Sequence, residues 1–120
     1  MLAFTIMGGA AMAKKMKIEV MKEGDGGIAE HGQRVTVHYE GRLTDDTVFA
    51  TSRSKGQPYG FTIGRGQVIQ GLEQGITGMK VGEMRRLTIP ADLGYGASGA
   101  GGVIPPNADL IFEVELLDIK

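Results

Sequence analysis

Two glycines four residues apart, Gly71 and Gly75, interrupt the one stretch of this sequence with helical periodicity, and they restrict the fold more than any other feature. Ile69, Leu72, Ile76 and Met79 recur at spacings of three, four and three, which gathers them on one side of a short helix in and just beyond residues 64–76. Each glycine costs that helix about 1 kcal/mol of propensity relative to alanine. Close approach is the simplest compensation: without side chains on that face, a sheet can pack directly against the helix backbone. The pattern predicts one helix lying across one sheet, with Val68, Ile69 and Leu72 at the end where a pocket opens.

Around that stretch the chain alternates like sheet and is punctuated by glycine turns. Residues 17–22 set Ile18 and Val20 among charged residues. Residues 34–42 are the clearest strand, with Val35, Val37 and Tyr39 on one face and Thr36, His38 and Glu40 on the other. Short strands are predicted at Val48 and Phe49, at 61–63 and at 83–90, where Leu87 and Ile89 point together. In 109–118, Leu110, Phe112, Val114 and Leu116 alternate with Ile111, Glu113, Glu115 and Leu117. Strands surrounding a single helix make an α+β domain.

The chain has 120 residues and suits one domain with one modest core. Its net charge of -1 provides no field for nucleic acid or an anionic membrane. Lys14, Lys15 and Lys17, and likewise Arg85 and Arg86, read as solvated charges. With no cysteine, disulfides, thiolate catalysis and Cys-based zinc sites are ruled out. Residues 1–15 read as a leader or disordered N-terminus and 16–120 as the folded domain. Ala11-Met12-Ala13 has the small-x-small form of a signal-peptide cleavage site, but no Lys or Arg precedes the apolar run. A cytoplasmic chain is therefore expected, with export to the periplasm as the alternative if residues 1–13 are a signal peptide.

Several chemical motifs fail on context. Gly94, Gly96 and Gly99 spell G-x-G-x-x-G, but the nucleotide-binding version needs a helix immediately afterwards, and Gly101, Gly102, Pro105 and Pro106 forbid one. His31 and His38 have no carboxylate cluster beside them and are expected on the surface. Ser52, Ser54 and Ser98 lack a nucleophile-elbow context. Residues 91–107 form a long irregular segment, which in a compact domain signals function, and Leu93, Tyr95, Val103 and Ile104 are too apolar for a free linker.

What remains is an apolar and aromatic set: Tyr39, Phe49, Tyr59, Val68, Ile69, Leu72, Tyr95, Val103, Ile104 and Phe112. Composition alone reads it as core, except that a buried phenol must find a hydrogen-bond partner. Here the sequence resembles the FKBP-type peptidyl-prolyl isomerases, the family that binds tacrolimus and rapamycin. The likeness runs from about Ile18 to Ile119 and is carried by Val37-His38-Tyr39-Glu40-Gly41, Phe49, Gln67-Val68-Ile69-Gln70-Gly71, Leu87-Thr88-Ile89-Pro90, Gly94-Tyr95-Gly96, Ile104-Pro105-Pro106-Asn107-Ala108 and Phe112-Glu113-Val114-Glu115-Leu116-Leu117.

The resemblance implies a curved antiparallel β-sheet wrapped around one short α-helix, and a cofactor-free enzyme that accelerates Xaa-Pro isomerisation. It places catalysis at Tyr39, Phe49, Ile69, Tyr95 and Phe112, and substrate binding at Ala50, Tyr59, Gln67, Val68, Leu72, Val103 and Ile104. Tyr95 and the Ile69 backbone N–H would donate to substrate carbonyls, Gln67 would offer its backbone carbonyl, and Val103 and Ile104 would overhang the pocket. Implied partners are proline-containing peptides, unfolded proteins and macrolides such as tacrolimus or rapamycin, and a monomer is expected. The chain departs from the family pattern at Ala50, where an Asp is common, at Lys55, where an Arg often pairs with that Asp, and at Leu72, where Trp is frequent. These departures keep open a second reading, a binding module for proline segments or macrolides with weak catalysis.

Overall fold

The computed structural model describes residues 15–120; the leader lies outside them, apart from Lys15. Six strands form one antiparallel sheet: β1 (Lys17–Lys22), β2 (Arg34–Leu43), β3 (Val48–Thr51), β4 (Tyr59–Thr62), β5 (Met84–Ile89) and β6 (Leu110–Ile119), with α1 (Gln70–Ile76) between β4 and β5. The path through the sheet is β1-β5-β6-β2-β3, and β4 also pairs with β2. β4 takes the first half of β2, from Arg34 to Val37, and β3 takes the second half, from Glu40 to Arg42. They are successive halves of one edge, separated by the excursion from Ser52 to Pro58.

The alternation of β2 and β6 is expressed as predicted. Val35, Val37, Leu110, Val114 and Leu116 are buried on the helix side, while Glu113 and Glu115 face outward. On that outer face Arg42 lies 3.3 Å from both Glu40 and Glu113, Arg86 pairs with Glu113 at 3.0 Å, and Arg53 reaches Glu115 at 2.6 Å. Ile18 and Val20 behave differently: paired with Leu87 and Arg85 they share the helix-side face, but β1 is the sheet edge and both stay exposed.

The two glycines meet the sheet as their spacing requires. A Cβ on Gly71 would run into Ile89, and one on Gly75 into Leu87. Four helical residues advance about 6 Å, and two strand residues advance about 6.7 Å. A glycine every fourth residue of α1 therefore matches every second residue of β5, and the helix backbone rests on the two aliphatic side chains.

Seven residues are too few for a helix to persist alone, and its ends are held by charged side chains. At the C-terminal end Arg85 donates from Nη1 to the Gly75 carbonyl at 3.0 Å and from Nη2 to the Gly78 carbonyl at 3.2 Å. Its Nε meets the buried carboxylate of Glu83 at 2.6 Å, and Glu83 also accepts the Lys80 N–H at 2.8 Å. A cation is favoured where unpaired helix carbonyls gather, so Arg85 is a capping residue and not the solvated charge expected from sequence. At the other end Glu73 Oε2 accepts the N–H groups of Gly64 and Gly66, at 2.8 and 3.3 Å. Residues 64–67 thus form a turn rather than the first helical turn that periodicity predicted, with Gly64 and Gly66 both at positive φ.

Candidate functional site

Where α1 begins, the sheet bends away and leaves a cleft of about 370 Å³ lined by Val37, Tyr39, Phe49, Ala50, Tyr59, Phe61, Gln67, Val68, Ile69, Leu72, Ile76, Tyr95 and Phe112. β2 supplies Tyr39, β3 Phe49 and Ala50, and β6 Phe112. Gly41 makes room for the aromatic wall: a Cβ there would stand 2.7 Å from the Phe112 ring and 2.9 Å from that of Phe49. The Phe49 and Phe112 rings consequently meet edge-on, with centroids 5.6 Å apart, a favoured aromatic geometry. Tyr39 touches Phe112 at 6.2 Å and meets Tyr59 edge-on at 6.0 Å, and Tyr59 stacks on Phe61 at 5.9 Å.

The opposite rim is the segment leading into α1. The Gln67 side chain accepts the Thr62 N–H at 2.8 Å and ties this segment to β4, while Ile69 occupies the N-cap with extended backbone and no side-chain cap. No hydrogen bond among the described residues uses the Ile69 backbone N–H, or the hydroxyl of Tyr39, Tyr59 or Tyr95. All thirteen lining side chains are uncharged. Burial holds the Tyr39 phenol above the usual tyrosine range, and the neighbouring Tyr59 and Tyr95 push it in the same direction, so it remains a neutral donor. Among the described residues no group of three His, Asp or Glu side chains is placed to hold a metal ion.

Ten of the twelve residues singled out in the sequence line this cleft; Val103 and Ile104 do not. A tight loop, closed by reciprocal hydrogen bonds between Ala100 and Ile104 at 2.9 and 3.0 Å, turns Ile104 into the core and leaves Val103 exposed. Both line a separate cavity of about 500 Å³ beside Leu43 and Pro105. Val37, Phe61 and Ile76 complete the cleft; the sequence places them only in strands and on the buried helix face, and such positions look the same for core and cleft. His38 also departs from expectation: it is half-buried, with Nδ1 2.9 Å from the hydroxyl of buried Ser52.

An uncharged hollow with aromatic walls and spare N–H and O–H donors defines a non-covalent site for a neutral, largely apolar segment bearing carbonyl groups. The family can then be named from comparison. The model of the FKBP-type peptidyl-prolyl cis-trans isomerase family matches residues 26–117. The chain is 57% identical over 105 residues to FK506-binding protein 1 of Dictyostelium discoideum, covering 88% of this chain and 98% of that protein. It is 54% identical over 90 residues to the peptidyl-prolyl cis-trans isomerase FPR2 of Saccharomyces cerevisiae, covering 74% and 67%. The crystal structure of FkpA from Escherichia coli superposes with a TM-score of 0.80 at 38% identity, over 88% of this chain and 48% of that longer one. The chain belongs to the FKBP-type peptidyl-prolyl cis-trans isomerases, and its activity is the interconversion of cis and trans Xaa-Pro bonds.

Proposed function

We propose that the cleft between α1 and the sheet is the isomerisation site, and that it acts on proline-containing peptides and on folding chains whose slow step is a prolyl bond. The observation that supports this is the combination of six aromatic rings around one hollow with donors that nothing else in the described structure uses. The barrier to be lowered is amide resonance, about 18–20 kcal/mol. Twisting the C–N bond removes that resonance and the charge separation that accompanies it, so the twisted state is less polar than either planar one. Transfer out of water therefore costs the planar amide more than the twisted one, and only such a difference accelerates the reaction. Tyr39, Phe49 and Phe112 form the apolar walls for the proline ring, Tyr95 Oη and the Ile69 N–H donate to substrate carbonyls, and the Gln67 carbonyl accepts from the peptide.

Apolar residues before proline are the favoured substrates, because Val68, Ile69 and Leu72 form the rim. The same hollow accommodates macrolides such as tacrolimus or rapamycin; FK506 binding is what the names of related proteins state of those proteins. The protein works as a monomer in the cytoplasm; intact mass from the native source, showing residues 1–13 retained or removed, decides between this and export. Ala50 stands in the lining where the family commonly has an acid, which removes an acceptor and a charge near the pocket, so turnover is weaker than in relatives that carry the acid. Exchange spectroscopy on a short Ala-Leu-Pro-Phe-type peptide tests the assignment. Faster cis-trans exchange at substoichiometric protein supports it, and binding without faster exchange replaces it with the binding-module reading.

A further inference from the structure

We propose that Ser52, which does not line the cleft, is a positioning residue for it; the inference rests on the reading of the cleft as the isomerase site. β3 ends at Thr51, and the chain then leaves the sheet for the excursion that returns at Tyr59. Had β3 continued, its backbone would have supplied both ladder partners to Tyr39. Only one is present, the Ser52 N–H donating to the Tyr39 carbonyl at 2.9 Å. The Tyr39 N–H donates instead to the Ser52 hydroxyl at 2.7 Å, so a side chain stands in for the missing strand carbonyl.

That hydroxyl has one proton to give. The Tyr39 carbonyl is 3.3 Å away and already occupied, whereas His38 Nδ1 is 2.9 Å away. In either tautomer of His38, its Nδ1 and the Tyr39 carbonyl together hold the rotor, which leaves a lone pair of the hydroxyl for the Tyr39 N–H. Ser52 is 5% exposed, so water cannot replace it readily. Its carbonyl also accepts the Gln57 N–H at 3.3 Å, closing the base of the excursion. A single buried residue thus holds Tyr39 directly, Phe49 and Ala50 through the end of β3, and Tyr59 through the loop it anchors. All four aromatic contacts around the cleft involve at least one of these three rings.

The test uses the full chain, the Ala-Leu-Pro-Phe-type peptide and amide spectra of Tyr39. Ser52→Ala should lower kcat/KM about tenfold, chiefly through kcat, with the Tyr39 amide proton moving upfield. Ser52→Thr, which keeps the hydroxyl, should restore most of the rate. Ser52→Cys is nearly isosteric and a much weaker acceptor, and carries the same expectation as Ser52→Ala should the alanine variant fail to fold. A folded Ala or Cys variant with wild-type kcat/KM and an unmoved Tyr39 amide would overturn the proposal. If the wild type itself failed to accelerate exchange, the isomerase reading of the cleft would fall, while the Tyr39 amide in the variants would still decide whether Ser52 positions that residue.

Discussion

Gly75→Ala is expected to destabilise the protein, opposite in sign to what helix propensity gives. In an exposed helix the change would gain about 1 kcal/mol. Here the new Cβ would collide with both Leu87 methyl groups and stand 3.0 Å from the Leu87 Cγ branch point. Leu87 is fully buried in the middle of β5 and has no solvent into which to swing. Inserting a methyl group into a filled core costs about 1–3 kcal/mol. A collision at a branch point belongs in the upper half of that range, which leaves a net loss of about 1–2 kcal/mol after the propensity gain. The melting temperature should fall by about 5–15 °C, and the urea midpoint should drop without a change in slope.

Leu87→Val supplies the control, because it shortens the side chain and draws back the two methyl groups that the new Cβ meets. Alone it should cost about 1 kcal/mol. Combined with Gly75→Ala, the two losses should sum to less than their separate values, with coupling of about 1 kcal/mol. A Gly75→Ala variant that is as stable as the wild type, or more stable, together with strict additivity in the double variant, would refute close packing as the reason for the glycines.

Ala50→Asp places an acceptor among the residues that line the cleft, and should raise kcat/KM roughly two- to tenfold; an equal or lower value in a folded variant counts against this. Arg85→Met removes the partner of the buried Glu83 carboxylate and the helix C-terminal donors together, so a loss of about 3–5 kcal/mol is expected in denaturant titrations. Because the Tyr39 phenol titrates higher when folded than when unfolded, its contribution to stability is complete below about pH 10 and disappears as pH rises through the folded value. Unfolding curves taken between pH 8 and about 11 should show stability falling only at the alkaline end.

Much of this architecture was legible because β2 and β6 bury one face and expose the other, and a period of two then writes itself into Val35, Val37, Leu110, Phe112, Val114 and Leu116. The helix was legible through its side chains but not its start: Val68 and Ile69 keep helical register while the backbone at Gly64 and Gly66 turns to meet Glu73. β4 was misplaced by two residues, since Tyr59 and Gly60 show no alternation and are strand only through their pairing with Val37 and Thr36. Arg85 could not be read at all, because its role depends on a helix end that sequence distance does not reveal. In the site, residues contributed by side-chain identity were found, whereas Val37, Phe61 and Ile76 were hidden within the core pattern. Val103 and Ile104 were displaced by a loop closure that depends on hydrogen bonding between Ala100 and Ile104 rather than on their apolar character.

The most direct test is exchange spectroscopy with the wild type and Phe112→Ala side by side, at protein concentrations well below that of the peptide. Phe112 is buried between Phe49 and Tyr39, so its removal opens the wall of the hollow without deleting any hydrogen-bonding group. The wild type should accelerate cis-trans exchange catalytically, and the variant, confirmed as folded, should lose most of that acceleration. Undiminished acceleration by folded Phe112→Ala would contradict catalysis by the apolar cleft.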